Sequence, residues 1–229
     1  MPSCVCKISF KSVQVCGCCC KMFRGLTFSG TQCTIILHFS VIRDVCVKAA
    51  TLHLLLFKGY AAGPHHNQVG SGSNFLCLPE QPQWKTYLAG SQAQSTAGTI
   101  AGIEYELFDS GIYHNNIFSE SNNGGNPLLN NPAPCAVCYV GGRSTILMIP
   151  ARTQCPDGWT AEYAGYLVSE ARRYDRRSSY VCWDEAPEVA TGPVNQNNAV
   201  IYPVEVLCGS LPCSVYFTGR ELTCIVCSK

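Results

Sequence analysis

Cysteine is the feature that most constrains this chain, because 17 of its 229 residues are cysteine. Cytosolic proteins keep their thiols reduced and seldom carry so many, unless the thiols bind metal. Charged residues make up only 14% of the chain, and the formal net charge is +1. We therefore expect a secreted, loop-rich fold closed by disulfides, and the small net charge gives no electrostatic footprint for nucleic acid.

The apolar runs of the sequence are too short for a membrane span, which takes about 20 residues. The start of the chain also lacks the charged, apolar and small-residue regions of a signal peptide. We give the cysteine pattern more weight than this missing signal. The expectation is an extracellular, secreted protein with no membrane span, whose start is truncated or mis-assembled in this sequence.

Residues 1–42 form an irregular cysteine-rich leader. They include seven cysteines, three of them consecutive at Cys18, Cys19 and Cys20, and no hydrophobic period of 2 or 3.6 persists. One interpretation is a metal-binding or cross-linking tail, and the other is a disordered or spurious segment. The spacing is too irregular for a zinc module, whose ligands usually come in regular pairs.

From Arg43 onward the sequence is more regular, with ten cysteines, an even number that suits a closed set of bridges. Short apolar runs bounded by turn residues predict strands at 144–149, 199–207 and 222–226. Only the segment 160–173 is expected to hold a helix. The predicted fold class is therefore mainly β, with little helix (α+β).

The regular region contains an internal duplication, which divides it into a first half at 43–140 and a second half at 141–229. Each half opens with a cysteine, continues with a Gly-Tyr step and a second cysteine, carries a glutamate in an apolar run, and closes on Cys-x-Val-Cys. The matching positions are Cys46 and Cys155, Gly59 and Gly165, Cys77 and Cys182, Glu106 and Glu205, Cys135-Ala136-Val137-Cys138 and Cys224-Ile225-Val226-Cys227. Two CxxC motifs that close two halves of the same layout indicate two similar β-rich subdomains.

These motifs resemble a known family. The stretch 134–166, PCAVCYVGGRSTILMIPARTQCPDGWTAEYAGY, looks like the junction between the halves of the C-terminal non-collagenous domain of type IV collagens, and the terminal TCIVCSK looks like its closing segment. The short-chain (spongin-type) collagens are the closer match, through 70–79, 134–150, 155–166 and 209–229. The resemblance covers nearly everything after Arg43. It implies two tandem, duplicated, C-type-lectin-like subdomains stapled by disulfides.

The resemblance also implies a disulfide scheme. The opening cysteine of each half would pair with the last cysteine of its CxxC, and the middle cysteine with the first. The implied pairs are Cys46–Cys138, Cys77–Cys135, Cys155–Cys227, Cys182–Cys224 and, in a small loop of the second half, Cys208–Cys213. The chain departs from the family in lacking a Gly-X-Y repeat, so it cannot form a collagen triple helix alone.

Two kinds of chemistry compete with structural disulfides. The two CxxC motifs contain enough thiolates for a zinc site, but they lie far apart and each has nearby cysteines to pair with. Acid–base chemistry would need a positioned pair such as Glu106 and Glu205, or a base such as His65 or His66, and no nucleophile motif accompanies any of them. We expect a non-enzymatic protein without a cofactor or a metal.

The densest charge cluster is Arg172-Arg173-Tyr174-Asp175-Arg176-Arg177. Arginine binds sulfate-like groups through two parallel hydrogen bonds, so these four arginines are candidates for an acidic-glycan site. A solvated loop is the alternative. For the whole protein, we expect an extracellular-matrix structural or assembly role, with a homo-oligomer, a trimer by resemblance, and matrix proteins or acidic glycans as partners. The alternative is a secreted lectin-like module that binds carbohydrate or sulfated glycan.

Overall fold

The computed structural model describes residues 33–39, 53–85, 97–106, 117–119, 123 and 126–229. The described residues form ten strands and no α-helix, which confirms the prediction of a mainly β fold. No helix among them is long and apolar enough to cross a bilayer. In chain order the strands are β1 (Cys33–Phe39), β2 (His53–Gly63), β3 (Leu76–Pro79), β4 (Ala101–Tyr105), β5 (Pro134–Gly141), β6 (Ile146–Pro150), β7 (Thr160–Ser169), β8 (Val181–Asp184), β9 (Ala199–Pro203) and β10 (Thr223–Ser228).

All ten strands belong to one sheet, in the order β1-β5-β2-β4-β9-β7-β10-β6, with β3 beside β2 and β8 beside β7. We call β1–β5 the N-terminal strand set and β6–β10 the C-terminal strand set. The two sets meet at β4 and β9, which pair in parallel, whereas every other pair of strands is antiparallel. The middle of the sheet is thus the junction between the sets.

The expected helix at 160–173 is wrong, because residues 160–169 form β7. Ala161, Glu162 and Leu167 favour a helix on propensity alone. In the structure, β7 lies between β10 and β8 and hydrogen-bonds to both. Its buried residues pack into the core of the sheet, so tertiary pairing overrides the local preference.

The CxxC strands β5 and β10 pair with β2 and β7 in the same register. Cys135 lies opposite Gly59, and Cys224 lies opposite Gly165. Each pairing also contains one bulge, opposite the Val-Cys step of the motif, at Leu56 in β2 and at Glu162 in β7. A shared bulge is a specific geometric feature, because it re-aims every side chain beyond it.

The hairpins β2–β3 and β7–β8 also share their register. Gly59 lies opposite Pro79, and Gly165 lies opposite Asp184. A Cβ added at Gly59 would overlap the carbonyl oxygen of Leu78, and one at Gly165 would overlap that of Trp183. Glycine is therefore required at both places by the close approach of the neighbouring strand.

The edge strands β1 and β6 extend this correspondence. Phe39 lies opposite Cys135, and Pro150 lies opposite Cys224, so each edge strand meets its CxxC strand in the same register. Strand β1 belongs to the segment that we assigned to the irregular leader. The boundary at 42/43 therefore falls after the first strand of the sheet, and the remainder of the leader lies outside the described residues.

The prediction of a disulfide-bonded protein is confirmed. Four bridges join described cysteines, and they are four of the five pairs that the resemblance implies: Cys77–Cys135, Cys155–Cys227, Cys182–Cys224 and Cys208–Cys213. Cys138 is disulfide-bonded as well, and its implied partner Cys46 lies outside the described residues.

The main hydrophobic core crosses the junction. Ile103, Tyr105 and Cys135 of the N-terminal set pack with Val168 and Trp183 of the C-terminal set. The ring of Tyr105 meets that of Trp183 edge-on, with centroids 6.0 Å apart. Since both sets contribute to one core, the loops at the junction are held at fixed positions relative to each other.

Candidate functional site

A polar cleft lies at the junction of the two strand sets, and it is the candidate functional site. Its volume is about 430 Å³, within the range of roughly 300–1,000 Å³ that is usual for small-ligand pockets. Its walls come from loops that follow β2, β4 and β7 or precede β5 and β9. The lining residues are His66, Glu106, Leu129, Asn130, Arg173, Tyr174, Asn195 and Asn197.

His66 is fixed by contacts on several sides. Its backbone N–H donates to the carbonyl oxygen of Asn198 at 2.9 Å, and its Nδ1 lies 3.1 Å from the same oxygen. The ring stacks on His65 and meets Tyr174 edge-on. Burial lowers the pKa of His65, and the neighbouring His66 lowers it further. The sequence offered His65 and His66 as possible bases, and the structure places His66 in the wall of the cleft.

Arg173 is oriented by two tyrosines. Its Nη2 donates to the phenol oxygen of Tyr174 at 3.1 Å and to that of Tyr202 at 3.0 Å, and the guanidinium lies over both rings. The two phenol oxygens are themselves 3.1 Å apart. The hydrogen bond to Tyr174 raises the pKa of Arg173, and burial raises that of Tyr202. The result is a charged arginine in one orientation beside neutral Tyr202.

Three asparagines of the cleft have left-handed backbones, which asparagine tolerates better than most residues. The φ angles of Asn130, Asn195 and Asn197 are 62°, 54° and 52°. Asn195 donates its backbone N–H to the carbonyl oxygen of Asn130 at 2.9 Å, so the two loops are joined across the junction. Such conformations persist only where surrounding contacts determine them.

Glu104, a buried residue of β4, holds the loop that contains Asn197. Its carboxylate accepts the backbone N–H of Gln196 at 2.9 Å and that of Asn197 at 2.8 Å. The side chain of Asn197 donates from Nδ2 to Asn195, whereas its Oδ1 is buried and accepts no hydrogen bond from the described residues. This acceptor is closed off from solvent, and its hydrogen-bonding capacity is unused within the described structure.

The four arginines of the sequence cluster do not form one surface. Arg176 is buried, and its guanidinium donates to the backbone carbonyl oxygens of Gln68 and Gly72. Arg173 lines the cleft, while Arg172 and Arg177 are exposed outside its lining. A joint grip by all four does not fit this arrangement, because Arg176 is used to anchor the loop after β2.

The competing chemistries find no site among the described residues. All four cysteines of the two CxxC motifs are disulfide-bonded, so they cannot supply zinc thiolates. No group of three or more His, Cys, Asp and Glu side chains in the described part of the chain is placed to hold a metal. Glu106 lines the cleft, but exposed Glu205 is not among the lining residues, so the two do not form a carboxylate pair there.

Sequence reasoning missed Glu104, Asn197 and Tyr202. Their contacts join residues far apart in the chain, such as Glu104 and Asn197, and no local motif marks them. The one usable signal was the asparagine-rich stretch before β9, since asparagine favours turns with positive φ.

In comparison with known proteins, no family model matches the chain, and no solved structure matches it.

Proposed function

We propose that this protein is a secreted structural or assembly component of the extracellular matrix. In this proposal it consists of two tandem copies of a lectin-like subdomain, similar to the terminal domain of type IV and short-chain collagens, and it works by self-association.

The shared geometry of the strand sets supports the duplication. The edge strand, the CxxC strand and the hairpin occur in both sets with the same register, and the bulge falls at the same step. The bridges Cys77–Cys135 and Cys182–Cys224 join matching positions. A register is sensitive to a shift of one residue, so agreement in every pairing favours a common origin.

The cysteines support an extracellular setting. Cys135, Cys182, Cys224 and Cys227 are buried in bridges. Disulfides of this kind form and persist in oxidising compartments, and they are rare in the cytosol.

The proposal of self-association rests on a difference between the hairpins β2–β3 and β7–β8, one of which is covered by a neighbouring segment while the other is exposed. On the C-terminal set, Phe118 from the segment between β4 and β5 packs edge-on against Tyr166, with ring centroids 5.5 Å apart, and Ser119 donates its backbone N–H to Glu185 at 2.7 Å. Trp183 is fully buried beneath this cover. The N-terminal segment thus covers the hairpin that follows it.

The matching face of the N-terminal set is exposed. Tyr60 and Leu78, the counterparts of Tyr166 and Trp183, are each 38% exposed. Trp84 stands seven residues after Cys77, as Val189 does after Cys182; it is 83% exposed, whereas Val189 packs against the core. We call Tyr60, Leu76, Leu78 and Trp84 the open hairpin face. The hairpin face is exposed in the N-terminal set and covered in the C-terminal set, and this difference is the observation that carries the proposal.

The segment between β9 and β10 is the counterpart of the covering segment and has the matching chemistry. It presents exposed apolar side chains around the bridge Cys208–Cys213, which we call the disulfide knob: Leu207, Leu211, Val215 and Phe217. In one chain the first covering segment meets the second hairpin. By the same geometry, the knob of one copy would cover the open hairpin face of the next copy.

Such contacts join two different surfaces, the knob of one copy and the open hairpin face of the next. They form a closed ring when the rotation that relates successive copies returns to the first copy. The resemblance implies three copies, made by exchange of β-segments. A second copy of this chain is favoured over an unrelated partner, because both apolar surfaces lie on the same chain. Within one chain, the first covering segment and the second hairpin already form the equivalent contact.

Sedimentation velocity of the oxidised full chain at micromolar concentration tests this proposal. We expect an oligomer, and we expect Trp84→Glu and Phe217→Glu each to weaken association by roughly tenfold or more, as for central interface residues. The control Val69→Glu changes a side chain that is 84% exposed and outside both surfaces. All three substitutions should leave the melting temperature nearly unchanged, since exposed sites contribute little. A monomeric parent, or equal weakening by Val69→Glu, would contradict the proposal.

A carbohydrate-binding role is the second candidate function, and the polar cleft is the observation that favours it. The cleft combines an aromatic ring, a charged arginine and planar amides, which are groups that bind polar ligands.

A further inference from the structure

The disulfide knob carries the bridge that is most open to solvent among the four that join described cysteines. Cys213 is exposed and Cys208 is half-buried. Each of the other three bridges includes at least one buried cysteine, and the buried ones are Cys135, Cys182, Cys224 and Cys227. Thiol–disulfide exchange begins when a thiolate reaches one sulfur of a bridge, so access decides which bridge reacts first.

The knob bridge also closes the shortest loop of the four. It spans 5 residues, whereas the other three span 42, 58 and 72. In the loop-entropy model a short loop restrains the unfolded chain least, so opening this bridge costs the fold less than opening any of the others. Reduction at the knob is therefore compatible with an intact sheet.

Backbone hydrogen bonds hold the base of the knob independently of the bridge. Val206 donates its N–H to the carbonyl oxygen of Arg220 at 2.9 Å, and its own carbonyl oxygen accepts the N–H of Gly219 at 2.9 Å. Nearer the sheet, Leu222 donates its N–H to the carbonyl oxygen of Val204 at 2.9 Å. The two ends of the segment between β9 and β10 therefore stay joined when the bridge opens.

The tip of the knob, residues 209–216, is held differently from its base. The backbone hydrogen bonds described for it are local: Gly209 donates to the carbonyl oxygen of Leu211 at 2.8 Å, and Val215 donates to that of Pro212 at 3.0 Å. Leu211 is 43% exposed and Val215 is 66% exposed. Because the bridge is what ties this tip to the base, opening it would release two of the apolar side chains that define the knob.

Thr218 gives the exchange a direction. Its Oγ1 donates to Sγ of Cys208 at 3.3 Å and accepts the backbone N–H of Cys208 at 3.1 Å. Attack on Cys213 would place the negative charge on Sγ of Cys208, to which this hydroxyl already donates. A stabilised thiolate leaves faster, so access and leaving-group stabilisation both select Cys213 as the cysteine that is attacked.

We propose that the bridge Cys208–Cys213 is a site of thiol–disulfide exchange, through which a dithiol opens the knob and weakens its contact with the next copy. One thiolate of the dithiol attacks Sγ of Cys213 and forms a mixed disulfide, and the electron pair of the S–S bond leaves with Sγ of Cys208. The second thiolate of the dithiol then displaces Cys213. The dithiol is oxidised to a disulfide, and its two electrons and two protons end on Cys208 and Cys213. The effect on association rests on the proposed function, whereas the exchange itself does not.

A time course of the oxidised full chain with dithiothreitol tests the selectivity. The reaction is quenched with N-ethylmaleimide, and peptide mapping by mass spectrometry follows each cysteine. We expect Cys208 and Cys213 to be alkylated at least roughly tenfold faster than the cysteines of the other three bridges, because only the knob bridge has an exposed cysteine. Equal rates for all four bridges would overturn the proposal.

The monothiol glutathione tests the direction of attack, because it stops at the mixed disulfide. We expect glutathione on Cys213 and N-ethylmaleimide on Cys208, and the reverse placement would contradict the role of Thr218. Thr218→Val removes the hydroxyl and should slow the reaction by roughly threefold to tenfold. Thr218→Ser keeps the hydroxyl and should restore the rate. Equal slowing in both variants would mean that the shape of Thr218 matters and its hydroxyl does not. Ser214→Ala, next to Cys213, is the matched control and should leave the rate within about twofold.

Sedimentation velocity before and after selective reduction and alkylation of the knob measures the consequence. We expect association to weaken by roughly tenfold, and the unreduced double variant Cys208→Ala/Cys213→Ala should match it. If the parent associates and the opened knob associates equally well, the switch is wrong and the proposed self-association stands. If the parent is monomeric, self-association is wrong, and the rates and the placement of glutathione still decide the exchange site.

Discussion

The two strand sets have the same backbone pattern but different surroundings. Counted from their CxxC motifs, they agree in the pairing of the edge strand, the bulged strand and the hairpin. They differ in what lies on the hairpin, since Trp183 is buried and its counterpart Leu78 is 38% exposed. Backbone pairing therefore does not determine burial here; burial depends on which neighbouring segment covers each face.

A second difference lies at the bulge. The N-terminal set has Leu56 there, and the C-terminal set has Glu162, which is buried. The carboxylate of Glu162 lies 3.3 Å from Nε2 of His53 and accepts the hydroxyl hydrogen of Ser228. His53 belongs to β2, so this polar cluster joins the two sets. At the bulge, the C-terminal set thus has an acidic side chain, whereas the N-terminal set has an aliphatic one.

The largest expected effect comes from the matched disulfides. Cys77–Cys135 spans 58 residues and Cys182–Cys224 spans 42, and replacing either pair with alanine should lower the free energy of unfolding by about 4 kcal/mol in the loop-entropy model. If the sets are equivalent, the two losses should agree within about 0.5 kcal/mol. Urea unfolding measures both. The bridge Cys208–Cys213, which spans 5 residues, is the control, with an expected loss of about 2 kcal/mol.

A smaller effect is expected when Glu162, the bulge residue of the C-terminal set, is replaced by leucine, the residue type at the bulge of the N-terminal set. Glu162→Leu removes the acceptor that His53 and Ser228 both contact, so we expect a loss of about 3 kcal/mol in the free energy of unfolding. Ser228→Ala removes one hydroxyl and should lose about 1 kcal/mol. Thermal and urea unfolding measure both variants. If Glu162→Leu were as stable as the parent, the polar cluster would contribute nothing beyond packing.

The remaining expected effect is a pH dependence of stability at Glu170, after strand β7 of the C-terminal set. Glu170 is buried and its carboxylate oxygens accept no hydrogen bond from the described residues. Burial raises the pKa of Glu170 to about 7, although Arg176 opposes the shift. The folded state therefore binds more protons than the unfolded state between about pH 4.5 and 7, and stability falls as pH rises through that window.

Glu170→Gln removes this dependence, because glutamine resembles the protonated acid at every pH. We expect its melting temperature relative to the parent to rise between pH 4.5 and pH 8. The N-terminal set has Pro64 at the matching position, one residue past the pairing counterpart of Ser169, so Pro64→Ala should change stability without a pH trend. A difference between Glu170→Gln and parent that is constant with pH would falsify the assignment.

Much of the fold could be predicted from local patterns, and the errors have physical causes. The cysteine order and the apolar runs predicted strands β6, β9 and β10, because alternation and turns are local features. The sequence pattern matched Glu106 of the first half with Glu205 of the second half, but strand pairing matches Glu205 with Glu104, which lies two residues earlier. The structure places Glu104 opposite Pro132 and Glu205 opposite Glu221, in equivalent bridges. A shift of two preserves the face of a strand, so apolar patterns alone could not detect it.

The sequence by itself determined the disulfide-bonded, mainly β character, because cysteine spacing and strand periodicity are written along the chain. Tertiary structure decided which faces are covered, and it separated arginines that are neighbours in sequence. Arg176 anchors to Gln68 and Gly72, more than 100 residues away, while Arg173 turns to Tyr202 and the cleft. Those partners come from distant loops that meet only when the two strand sets share one core, and no local pattern specifies such a meeting.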